Sequence, residues 1–140
     1  MSDIENTQEI CQDPWRQRAI LAMVELYEVL GYTAIKARWY GFTSPAIIEG
    51  NQENHRPDLT CRQFDDKGTP VILEAVGPFE VRAKNSAKRW TLLHSAAAMY
   101  DAELQFVVPS WTVEGFPTVE QRLRQRLANL DITPRKVWAL

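Results

Sequence analysis

The six residues Val71-Ile72-Leu73-Glu74-Ala75-Val76 constrain this chain more than any others. An apolar run of this kind, closed by Gly77-Pro78, reads as a strand buried on both faces, because a half-exposed strand would alternate. A carboxylate in the middle of such a strand is costly to bury unless a cation or a hydrogen-bond donor meets it. Arg62 and Lys36 are the cross-sheet partners the sequence offers Glu74 if its role is structural. A second acid, Asp58 after Pro57, stands at the start of another β-prone segment, 59–64. Between that segment and 69–76, Asp65-Asp66-Lys67-Gly68 supplies turn residues, with Gly68 able to take a positive φ. A hairpin built this way sets Asp58 and Glu74 on adjacent strands.

The surrounding pattern is mixed. Asp13 followed by Pro14 marks a helix start, and Ile20, Met23, Val24, Tyr27 and Leu30 recur at helical spacing up to Gly31, which predicts a helix over 14–30. Residues 32–40 read as a strand, and 41–56 as a long excursion with a short extended piece at 46–49. Downstream, 86–100 reads as a helix with Leu92, Leu93, Ala96, Ala97 and Tyr100 on one side, and 104–109 as a buried strand. Thr118 with Gln121 forms a capping box that opens a helix over 119–130, and the closing Arg135–Leu140 reads as a last strand. Alternation of this kind predicts an α/β domain with a central mixed sheet flanked by helices, in which 71–76 and 104–109 run parallel. The expected organisation is a mobile N-terminal arm over 1–12 and a single domain over 13–140.

Composition narrows the functional classes. A hydrophobic fraction of 45% beside a charged fraction of 24% is that of a globular chain. Apolar runs are too short to cross a bilayer and the first residues are acidic and polar, unlike a signal peptide, so a cytoplasmic location with no membrane partner is expected. Cys11 and Cys61 show no CxxC spacing and no ligand spacing with His55 or His94, which argues against zinc. Net charge is −2, so the chain has no overall basic field, although Arg82, Lys84, Lys88 and Arg89 cluster ahead of and within the second helix.

Two carboxylates on adjacent strands can share a hard cation such as Mg²⁺, which polarises a phosphodiester and lowers the pKa of a bound water. Pro57-Asp58, then Glu74-Ala75-Val76, then a helix and a strand resembles the core of the PD-(D/E)XK nuclease superfamily, the restriction-endonuclease-like fold. The resemblance covers roughly residues 14–110. It implies a DNA endonuclease with Asp58 and Glu74 as its metal ligands, using Mg²⁺ or Mn²⁺. The superfamily's lysine falls on Val76, which has neither charge nor donor. Some members take that lysine from the following helix, which makes Lys88 the first candidate for the third catalytic residue, ahead of Lys84 and Lys36. Glu25 on the first helix is the candidate third acid, and Arg56, Lys84 and Arg89 are candidate phosphate contacts, beside His55.

Two functions follow from these residues, beside a plain interaction domain whose resemblance to the nuclease fold carries no site. One is a metal-dependent endonuclease with a degraded or relocated active site, for which DNA is the partner and a homodimer would cut both strands. The other is a non-catalytic nuclease-like module that binds nucleic acid or a protein, favoured by Val76 and by the slightly acidic balance.

Overall fold

The computed structural model describes residues 10–140. Helix α1 (Pro14–Val29) begins where Asp13 accepts a hydrogen bond from the Trp15 amide at 3.2 Å. It ends where Gly31, at φ +82°, turns the chain so that the Tyr32 amide donates to the Tyr27 carbonyl. Strand β1 (Thr33–Ala37) leads into a long loop, and strands β2 (Leu59–Arg62) and β3 (Pro70–Ala75) form the hairpin. Helix α2 (Ser86–Met99), strand β4 (Glu103–Val108), helix α3 (Val119–Asn129) and strand β5 (Lys136–Ala139) complete the chain. Both parts of the capping box at Thr118 and Gln121 are present.

The five strands lie in the order β1-β2-β3-β4-β5. The first three are antiparallel to one another, while β4 runs parallel to β3 and β5 parallel to β4. A five-stranded mixed sheet flanked by three helices is therefore the architecture. Alternation along β3 divides the core into two halves. Val71, Leu73 and Ala75 face α1 together with Leu59, Cys61 and Val107, whereas Ile72 and Val76 face α2 and α3 with Phe106, Val108, Trp90, Leu93 and Leu123. Covering β3 on both faces accounts for its apolar run.

Strand ends are shorter than the sequence reading at β1, which stops at Ala37 because the chain turns there: the Ala37 amide donates to the Thr43 carbonyl. The expected arm over 1–12 lies outside the described residues except at its end, where Cys11 is already buried in the α1-side core and its amide donates to the Arg38 carbonyl. Among the described residues no helix is long and apolar enough to cross a membrane.

Candidate functional site

The hairpin register pairs Leu59 with Leu73, so Asp58 and Glu74, one step further along each arm, come opposite one another at the end of β3. Both are taken out of water: Asp58 has 0% of its surface exposed and Glu74 2%. Four neighbouring groups meet them, drawn from distant parts of the chain. Arg16, in the first turn of α1, approaches Asp58 Oδ2 at 3.7 Å and donates to the Ala75 carbonyl at 2.8 Å and to Glu80 Oε1 at 3.0 Å. Arg38, just past β1, donates to Asp58 Oδ1 at 3.1 Å. The Ala75 amide donates to Asp58 Oδ2 at 2.9 Å. His55 closes on Glu74, Nε2 to Oε2 at 2.8 Å.

The long loop exists to deliver that histidine. Ile48 and His55 exchange backbone hydrogen bonds of 2.7 and 2.9 Å, a single antiparallel bridge that folds the loop back against the sheet end. Arg56 is buried beside it and donates to the Pro45 carbonyl at 2.5 Å. On the other side, Glu80 accepts from the Gly77 amide at 3.1 Å, and a Cβ at Gly77 would come within 3.1 Å of that carboxylate. A larger residue there would push the carboxylate back by a few tenths of an ångström.

Burial and the Glu74 charge push the Asp58 carboxyl up to about 6, against the pull of Arg16, the Ala75 amide and Arg38. Burial also acts to raise Glu74, but the hydrogen bond and charge of His55, with Arg16 and Arg38, outweigh it and hold that carboxyl below its ordinary range. Burial works to lower His55, and Glu74 outweighs it, so the imidazole is raised. The two acids therefore share one electrostatic environment with the arginines and the histidine.

Over this group lies a cleft of about 420 Å³ lined by Arg16, Arg38, His55, Arg56, Arg89 and Glu53, among others. Neither Asp58 nor Glu74 lines it. Arg16, Arg38 and His55 stand between the acids and the open space.

The other sequence candidates are dispersed. Lys88 is exposed on α2 and lines a neighbouring cleft with residues 50–53. Lys84 is exposed ahead of α2, and Lys36 is exposed on β1. Glu25 is exposed more than two turns further along α1 than Arg16, the residue by which that helix reaches the acids. Val76 is 1% exposed and packed in the core with Trp90 and Phe106. Glu74 pairs with His55 rather than across the sheet; Arg62 instead donates to the Gly68 carbonyl. Of the phosphate candidates, Arg56 and Arg89 line the cleft and Lys84 does not.

A divalent cation needs several oxygen ligands with lone pairs to spare. Both Asp58 oxygens already receive donors, as does Glu74 Oε2, which leaves Glu74 Oε1, buried with no hydrogen-bond partner. No group of three or more His, Cys, Asp or Glu side chains among the described residues is arranged to hold a metal. The donor set as folded suits guanidinium and imidazolium partners better than Mg²⁺.

Comparison with protein-family models, with curated proteins and with solved structures finds no match to this chain. Fold and site are thus defined by the chain itself: a mixed α/β domain with a buried acid pair capped by arginines.

Proposed function

We propose that the chain is a restriction-endonuclease-like domain whose acid pair no longer serves as a metal-dependent cutting centre, and that it acts as a non-catalytic module engaging nucleic acid. The observation that carries this reading is the pairing of Asp58: guanidinium and amide donors hold both oxygens where a cation would otherwise be ligated. Val76, buried in the core, supports it from the lysine position. Such a module has no need of paired cutting centres, so the reading does not call for a homodimer.

One observation favours the metal-dependent nuclease as a second reading, namely the unpartnered Glu74 Oε1. A Mg²⁺ or Mn²⁺ ion would have to displace Arg16 or Arg38 from Asp58 to be shared by both acids. Incubation with supercoiled plasmid and either ion, beside an Asp58→Ala variant, separates the two. The expected result is intact plasmid and no calorimetric metal binding. Nicking by the wild type that vanishes in the variant would restore the nuclease. Val76→Lys is expected to destabilise the fold by several kcal/mol, since it buries an unpaired ammonium, and to confer no cutting.

A further inference from the structure

The cleft over the acid pair has a chemistry of its own. Four arginines and a histidine line it against one carboxylate, Glu53, while Asp58 and Glu74 are sealed behind Arg16 and Arg38, and Glu80, outside the lining, also pairs with Arg16. The side chains that line the cleft are therefore mostly basic even though the chain as a whole carries −2. Two donors have no partner among the described residues. Arg16 Nε is buried and has no hydrogen-bond partner. Arg89, half-buried on α2, makes no hydrogen bond or ion pair with a described residue. Guanidinium groups fixed in a concave site, with donors to spare, match the oxygens of a tetrahedral oxyanion.

We propose that this arginine-lined cleft is a metal-independent binding site for a phosphoryl group, with Arg89 as the donor at its mouth and Arg16 as the donor at its floor. The inference rests on the non-catalytic reading of the acid pair. It adds that the ligand is a single phosphate held by side chains, in place of a phosphodiester held through a cation. A cleft of about 420 Å³ admits one phosphate with part of its bearer, not a duplex. The phosphate is either a nucleic-acid end or a free ion.

The test uses the full chain in excess chelator, with titration of inorganic phosphate followed by thermal shift and calorimetry. Two single-stranded oligonucleotides, identical except for a 5′-phosphate or a 5′-hydroxyl, follow. Phosphate is expected to raise the melting temperature. Arg89→Ala should weaken binding about tenfold, and Arg89→Lys less, because charge survives but the fork is lost. Glu53→Gln should tighten binding, and Lys84→Ala, outside the cleft, should leave it unchanged. Tighter binding of the phosphorylated oligonucleotide identifies a nucleic-acid end as the source; equal binding of the two, with the response to inorganic phosphate intact, supports the cleft with free phosphate as its ligand. Absence of any phosphate response, a response that Arg89→Ala leaves intact, or one that appears only on adding Mg²⁺ overturns the proposal. Because chelator is present and no cleavage is scored, plasmid nicking would refute the non-catalytic reading without deciding this one.

Discussion

A carboxylate with no exposed surface persists in a fold only when donors surround it, and Asp58 has the Ala75 amide, Arg38 and Arg16. Glu74 depends on a single donor, His55, which makes that pair the more sensitive of the two. Glu74 raises the imidazole above its ordinary 6.5, so its stabilising contribution is complete below that pH and disappears as pH rises through the folded value. Glu74 is held below its ordinary 4.5, so its contribution is complete above that pH and disappears as pH falls through the folded value. The ion pair therefore stabilises most between 4.5 and 6.5. His55→Gln retains a neutral donor and removes only the charge. It should cost about 1–2 kcal/mol near pH 5.5 and much less near pH 9, measured by urea denaturation at each pH. A difference that stayed constant across that range would show that His55 is neutral in the fold.

At the scale of elements, what the sequence made legible was whatever repeats locally. The apolar run of 71–76, the cap at Asp13 and the capping box at Thr118 each predict the element found there, because each depends on neighbours a few residues away. The meeting of Asp58 with Glu74 was legible as well, since a hairpin register brings them opposite. Their partners were not. Arg16, Arg38 and His55 reach the acids from a helix, a strand end and a loop, and long-range packing alone determines that convergence. Arg16 did leave a signal: it lies on the buried face of α1 with Ala19, Ile20 and Met23, where a charge needs a partner as much as Glu74 does. The segment 77–85 that carries Glu80 is itself tied down by α3. Arg126 donates to the Val81 and Ala83 carbonyls at 3.0 and 2.8 Å, and its guanidinium lies 4.8 Å from the centre of the Trp90 ring. Arg126→Lys keeps the charge but cannot hold both carbonyls and the ring face in one geometry. It should lower stability by about 1–2 kcal/mol in urea and loosen the Glu80–Arg16 contact, seen as faster amide exchange at Gly77.

For the whole molecule, the distribution of charge decides how a polyanion is met. Net charge is −2, so no long-range field draws nucleic acid in, and the cations turned towards a ligand are gathered in one small cleft. A protein that lies along a duplex neutralises many phosphates and loses affinity steeply as salt rises, with a slope near −0.9 per phosphate contacted. A single cleft contacts one. Oligonucleotide binding should therefore weaken with salt at a log–log slope of roughly −1, the value for a single phosphate, and change little with duplex length. Fluorescence anisotropy from 50 to 300 mM KCl, on duplexes of two lengths, measures both. A slope of roughly −6 or steeper, growing with length, would mean that the basic residues ahead of and within α2 follow the backbone. Nucleic acid would then lie across the surface, as it does for an enzyme that cuts within a strand, rather than present one phosphate to the arginines above Asp58 and Glu74.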